Sequence, residues 1–351
     1  MLPDPTFWHG RRVLLTGHSG FKGAWAALWL HRLGAHVTGL ALPAEPLSLF
    51  RLAGLDELMP SRWTDIRDPD GVAAAVALAQ PELVLHMAAQ PLVGRSLVAP
   101  VESFAVNVMG TIHLLDALRH APGLKAILVV TTDKVYANDE TGTPYREADR
   151  LGGKDPYSAS KAACEIATAA MARSFLAPDG ISVATARGGN VIGGGDFSAN
   201  RLVPDVVRAA RDGAALTLRD PGAIRPWQHV LDCVGGYLTY LAAMASRRTM
   251  PPSLNFGPGQ RQSMTVRQLA DGMLKALGAT VPIGELPEPA MREAHILNLD
   301  SRLARRTLGW ADRLCGQRMV AATGAWYRAW ADGENMRETT LRQIADYEAL
   351  S

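Results

Sequence analysis

Cysteine is scarce in this chain: there are three among 351 residues, Cys164, Cys233 and Cys315. They are far apart, odd in number and form no Cys-x-x-Cys, which argues against a disulfide framework and against a zinc site. A reducing cytoplasm is the expected setting. No uninterrupted apolar run reaches the ~18 residues of a membrane span. The segment Met1 to Gly10 carries Asp4, Pro3 and Pro5 and lacks the apolar stretch of a signal peptide. An excess of one charge is missing too. A formal net charge of +2 gives no reason to expect nucleic acid or an anionic membrane as partner. Internal repeats and low-complexity segments are also lacking. What remains is an ordinary globular composition, 48% hydrophobic and 20% charged. The length allows one large domain or two packed ones.

The chain opens on an apolar strand, Arg12 to Thr16, followed by Gly17-His18-Ser19-Gly20-Phe21-Lys22-Gly23. A helix is predicted from Ala24 to Arg32, ended by Gly34, and His36 to Leu40 is the next apolar run. Glycines at 17, 20 and 23 let the backbone approach a pyrophosphate, and the helix that follows offers its N-terminus to that charge. Apolar strands then alternate with helices: Glu82 to Met87, Val106 to His120, Ala126 to Thr131, the helix beginning near Pro156, and Ile181 to Ala186. This pattern predicts an α/β fold, a doubly wound parallel sheet of Rossmann type covered on both faces. After about Asn190 glycine and proline become frequent. Helices are expected over 203–212, 230–245 and 266–277, and the tail from Gly316 reads as helical. The organisation expected is 1–189 as an NAD-binding domain and 190–351 as a smaller C-terminal α/β substrate-binding lobe, with strand exchange between the two left open.

Dinucleotide folds often place an acid ~20 residues beyond the glycines to hold the ribose 2′-hydroxyl. Here that place reads Gly39-Leu40-Ala41-Leu42-Pro43, without acid or arginine. NAD is the expected cofactor, with the choice between NAD and NADP left open by these residues. Asp65 and Ile66 follow the third strand, where an adenine contact is expected. Small residues Ala88 and Ala89 at the end of the His86-Met87-Ala88-Ala89-Gln90 run let a flat ring lie close to the backbone. Gln90 is a candidate substrate contact there. His86 reads as a packed strand residue. Tyr157 and Lys161 lie four apart, on one helical face. An ammonium beside a phenol lowers its pKa from about 10, which would fit Tyr157 as a general base. Asp133 and Lys134 form a second acid/base pair.

The combination TGHSGFKG, HMAAQ, NVMGT (Asn107 to Thr111), TTDKVY and YSASK resembles the extended short-chain dehydrogenase/reductases, and within them the nucleotide-sugar 4,6-dehydratases. Asp133-Lys134, the 188–196 run GGNVIGGGD, RPWQHV from Arg225 and EAHILNLD from Glu293 resemble the branch acting on CDP-glucose. The resemblance spans nearly the whole chain and implies a lyase of deoxysugar biosynthesis, as in lipopolysaccharide O-antigen assembly. It implies NAD as a catalytic cofactor, held by Gly17, Gly20, Phe21, Lys22, Gly23, Asp65, Ile66, Ala88, Ala89, Asn107, Tyr157 and Lys161. Tyr157 would take the proton of the glucose 4-hydroxyl with Thr132 bonded to that oxygen, and Asp133 would protonate the leaving 6-hydroxyl. In the dTDP-glucose type a carboxylate follows the Asp and serves as C5 base. Here Lys134 stands there. It must be neutral to accept that proton, or else it stabilises the enolate without acting as base. Gln90, Asn190, Arg201, Arg225 and His295 are the implied substrate contacts, the arginines because a diphosphate favours their forked donors. The implied partner is a small nucleotide sugar, and the implied assembly a homodimer or homotetramer. Rival readings are a dehydratase for another nucleotide sugar, a 4-epimerase, which needs the Tyr/Lys pair but no Asp133 acid, and a non-catalytic dinucleotide sensor.

Overall fold

The structure, a computed structural model, describes residues 1–350 except 248, 260–262 and 286–296. Its centre is a seven-stranded sheet. Six strands come from the first half: β1 (Arg12–Thr16), β2 (His36–Ala41), β3 (Ser61–Trp63), β4 (Leu83–His86), β5 (Ala126–Thr132) and β6 (Ser182–Gly188). The seventh, Ser253–Phe256, comes from the far half and pairs with β6. The order across the sheet is Ser253–Phe256, β6, β5, β4, β1, β2, β3, and every pairing is parallel. β4 and β5 are buried throughout, as near-continuous apolar strands must be when helices cover both faces.

Two cores lie on opposite sides of this sheet. One holds the helices Phe21–Arg32 and Val230–Ser246 with the C-terminal helices Gln317–Ala331 and Met336–Ala349. The other holds Pro69–Ala79, Gly110–Leu118 and Pro156–Met171. The tail is two helices rather than one, because Asp332 to Asn335 break it and Asn335 caps the second. That second helix lies on the first long helix of the chain: Trp29 Nε1 donates to Glu348 Oε1 at 2.8 Å.

Two elements differ from expectation. The first long helix begins at Phe21, with Gly20 as its N-cap, so Phe21, Lys22 and Gly23 form its first turn rather than the preceding loop. The helix expected from Val106 starts earlier, at Pro100, and passes through a π turn over Ala105–Met109 before Gly110–Leu118. Proline is tolerated at a helix start because its missing N–H would be unpaired there anyway. Outside the main sheet, three short two-stranded ribbons stand at the C-terminal side: Asn190–Ile192 with Trp227–His229, Ile224–Arg225 with Met264–Thr265, and Leu216–Leu218 with Ile283–Glu285.

Candidate active site

Strand order reverses between β1 and β4, and in open parallel sheets ligands bind beyond the carboxyl ends of strands at such a point. The turns there almost touch. Gly17 has φ +71°, and a Cβ on it would lie 2.7 Å from the Ala88 amide nitrogen. A Cβ on Gly23 would overlap the Gly17 carbonyl, so that glycine lets the helix pack onto the turn. The first turn of this helix carries no acid, and Gly20 gives it no side-chain cap. Its N–H groups are therefore left for an anion. This cradle fits the pyrophosphate of a dinucleotide.

His86 sews the two turns together. Thr111 Oγ1 donates to the Asn107 carbonyl at 2.8 Å and has only one proton, so His86 Nε2 donates to it at 3.0 Å. His86 Nδ1 then accepts from Thr16 Oγ1 at 2.6 Å, and Thr16 Oγ1 in turn receives the Met87 and Ala88 amides. Burial lowers the His86 pKa to about 3, which keeps it neutral as this arrangement requires. Asn107, on the π turn, receives the Gln90 amide at 2.9 Å and donates to Ser160 Oγ at 2.9 Å. It thus joins the β4 turn to the helix bearing Tyr157 and Lys161. The Gln90 side-chain amide is engaged within the protein: it donates to Ser103 Oγ and accepts from the Leu92 amide. The Asp65 carboxylate is paired with Arg67, and Ile66 packs against Gly110.

The catalytic candidates meet at the end of β5. Asp155 caps the 156–171 helix through the Ser158 amide, setting Tyr157 in its first turn. The Thr132 hydroxyl donates to Asp133 Oδ1 at 2.9 Å and stands close enough to the Tyr157 phenol to lower its pKa. Burial pushes the Asp133 carboxyl up, against the opposing charges of Lys134 and Arg225 and the Thr132 hydrogen bond. Asp133 Oδ2 is buried without a hydrogen-bond partner among the described residues, so the carboxyl holds an oxygen in reserve for a ligand.

Tyr157 departs from expectation. Burial pushes its phenol up rather than down, and the cations that oppose this are Lys134 and Arg201. Lys161 is directed elsewhere: its ammonium donates to the Val130 carbonyl at 3.1 Å. Spacing of four puts two residues on one face but leaves open which acceptor the longer side chain finds. Burial lowers the Lys161 pKa, and the charge of Lys22 adds to this.

Among the substrate candidates, Asn190 lies at the start of a short strand paired to Trp227, and Arg201 forms an ion pair with buried Asp196 at 3.3 Å. Arg225 stands close enough for its charge to act on Asp133. His295 lies outside the described residues. A cavity of about 270 Å³ opens beside this group, lined by Gly142, Pro144, Pro226, Pro258, Asn298 and Leu299. Its Pro226 borders Gly189, where a Cβ would sit 3.3 Å from Asp133 Oδ2. Sequence reasoning missed Glu165 and Arg187, a buried ion pair behind the site. Their signal was a charge at the end of an apolar strand and an acid one turn beyond Lys161.

Helix termini, a neutral histidine bridge and a Tyr/Lys helix around one crevice define a dinucleotide-dependent enzyme. The NAD dependent epimerase/dehydratase family matches residues 13–257, and the chain belongs to it. It is 40% identical, over 98% of each chain, to the CDP-glucose 4,6-dehydratase of Salmonella typhimurium. It is 32% identical to the dTDP-glucose 4,6-dehydratase of Streptomyces griseus, over 91% of this chain and 95% of that relative. Among solved structures it is similar to DesIV, a dTDP-glucose 4,6-dehydratase of Streptomyces venezuelae with NAD bound. There the identity is 27% and the TM-score 0.77, over 92% of this chain and 98% of that one. No helix among the described residues is long and apolar enough to cross a membrane.

Proposed function

We propose that the protein is a hydro-lyase that converts CDP-D-glucose to CDP-4-dehydro-6-deoxy-D-glucose and water. The observation that carries this reading is the buried Asp133 carboxyl, its Oδ2 without a partner among the described residues, bonded to Thr132 beside Tyr157. An epimerase has no leaving hydroxyl to protonate and no use for such an acid. The 40% identity to a CDP-glucose enzyme over 98% of both chains supports the choice of nucleotide.

NAD, when bound in the Gly17–Gly23 cradle, would supply the hydride acceptor for C4 and return the same hydride to C6. Tyr157 takes the proton of the 4-hydroxyl, and Thr132 holds that oxygen. The resulting ketone acidifies the C5 proton, which Lys134 removes in its neutral form. Asp133, whose carboxyl burial pushes up, gives its proton to the departing 6-hydroxyl. Water leaves; as hydride returns to C6 the proton taken by Lys134 returns to C5, and the proton gained by Tyr157 balances the one given by Asp133, so C4 ends as a ketone and C6 as a methyl group with no net reductant consumed. Lys161 supports the cofactor's ribose side. Asn190, Arg201 and Arg225 hold the nucleotide diphosphate, with residues 190–351 serving mainly as the substrate lobe.

The assembly we propose is a homodimer in the cytoplasm. Val98, Val101 and Ile166 are 87%, 82% and 62% exposed, and Phe104 and Met109 add to the same pair of neighbouring helical segments. An apolar face of this kind is normally covered.

The deciding experiment incubates the protein with NAD⁺ and, in parallel, CDP-glucose, dTDP-glucose, UDP-glucose and GDP-mannose, with mass spectrometry of the products. Loss of one water from CDP-glucose alone, without net reduced cofactor, is expected. Water loss from a different sugar would keep the chemistry and overturn the nucleotide; unchanged mass with all four would overturn the dehydratase.

A further inference from the structure

Behind the Asp133 turn lies a buried polar chain that the proposed chemistry does not use. Arg187, on β6, and Glu165, one turn beyond Lys161, are each 4% exposed. Arg187 Nε donates to the two Glu165 oxygens at 2.8 and 3.0 Å, and Nη2 donates to the same carboxylate. Nη1 donates to the Tyr136 hydroxyl at 2.7 Å and to the Glu147 carbonyl at 3.0 Å. Thr131, next to Thr132, donates its hydroxyl to Glu165 at 2.6 Å. Tyr136 donates to Asn255 Oδ1 at 2.7 Å, and Asn255 Nδ2 donates to the carbonyls of Tyr145 at 2.9 Å and Asp300 at 3.3 Å.

An arginine can only donate. The Tyr136 proton must therefore point to Asn255, and the Asn255 amide has one orientation. Against the burial that disfavours its charge, Glu165 holds the Arg187 guanidinium firmly protonated. The chain thus has a single proton arrangement with no alternative of similar energy. Buried ion pairs are poor sources of stability, since apolar side chains of similar shape often serve as well. What this one does supply is orientation. It grips the residue before Thr132, the residue that follows the Asp133–Val135 turn, and the helix of Tyr157 and Lys161. Through Asn255 it reaches Asp300, beside the Asn298–Leu299 wall of the cavity.

We propose that Arg187, with Glu165 and Tyr136, is a positioning group: it fixes the Thr132–Lys134 turn and couples it, through Asn255 and Asp300, to the Asn298–Leu299 wall of the cavity. The inference rests on the dehydratase reading of that turn.

The test is Tyr136→Phe, which removes one hydroxyl and keeps the ring stacked on Tyr145 at 4.9 Å. Expected are a fall in kcat of about tenfold or more with the KM for CDP-glucose within about twofold. Amide hydrogen exchange over 132–136 should accelerate by about tenfold, confined to that segment. Glu165→Gln, which keeps shape and removes charge, should show the same split. Parental kcat and parental exchange in Tyr136→Phe would overturn the proposal. So would a loss of activity that merely tracks a general loss of folded protein. Should the parent protein dehydrate no nucleotide sugar, the functional reading fails by itself, and the exchange measurement still decides whether the chain holds the turn.

Discussion

Tyr157 must lose a proton in surroundings that resist it. Burial raises its phenol, and the charges of Lys134 and Arg201 work in the other direction. Tyr157→Phe is expected to lower turnover by roughly 10²- to 10⁴-fold with the fold intact, measured by product formation and circular dichroism. Asp133→Asn is expected to permit oxidation at C4 and block departure of the 6-hydroxyl. Reduced nicotinamide should then accumulate with substrate present, and an absorbance trace without it would remove Asp133 as the acid. Lys134 lowers both the Tyr157 and the Asp133 pKa. In Lys134→Met the single-turnover oxidation at C4, which needs deprotonated Tyr157, should therefore have its acid limb moved to higher pH. An unmoved limb would mean that the Lys134 charge does not act on Tyr157.

At the scale of elements, the 230–246 helix is tied to the end of the chain through Asp232. This carboxylate accepts from the Arg313 amide at 2.6 Å, the Leu314 amide at 3.2 Å and the Tyr347 hydroxyl at 2.8 Å. Burial outweighs these donors and lifts its pKa from 3.8 to about 7. The folded protein then holds a proton between those values that the unfolded chain has released. Stability from this group is full below pH 3.8 and is lost as pH rises to about 7, a loss on the order of 4 kcal/mol. Asp232→Asn should flatten the fall of the thermal midpoint across that window. The strands β1, β2, β4, β5 and β6 were legible because short apolar runs leave few alternatives, β3 was not because Ser61–Trp63 is largely exposed, and the helices 203–212, 230–245 and 266–277 fall within a residue of their structured bounds. The π turn was not legible, since one extra residue barely disturbs a periodicity of 3.6. Nor were the engagements of Gln90 and Lys161, which depend on acceptors distant in sequence, Ser103 and the Val130 carbonyl.

For the whole molecule, the exposed apolar residues at 98, 101 and 166 set the prediction. Light scattering should find a dimer, and Val101→Glu with Ile166→Arg should give monomers. A monomeric parent would remove the assembly we propose. The fold class was legible from the strand and helix alternation, and the glycine turn from its place after β1. The substrate end was less so. Its arginines lie on short ribbons whose pairing no local pattern announces, as where Ile224–Arg225 meets Met264–Thr265.

The strand Ser253–Phe256 closes the sheet on β6 from about seventy residues away in the chain. On the ribosome, β6 is complete long before its neighbour is made. Until then it presents a bare parallel edge of seven residues, an unpaired row of backbone donors and acceptors, which is the surface that nascent chains use to stick to one another. The nucleotide half is therefore not a separable module in biogenesis. A chain halted before the seventh strand emerges carries its own aggregation template, and the interval between the two strands is the one on which the yield of folded enzyme depends.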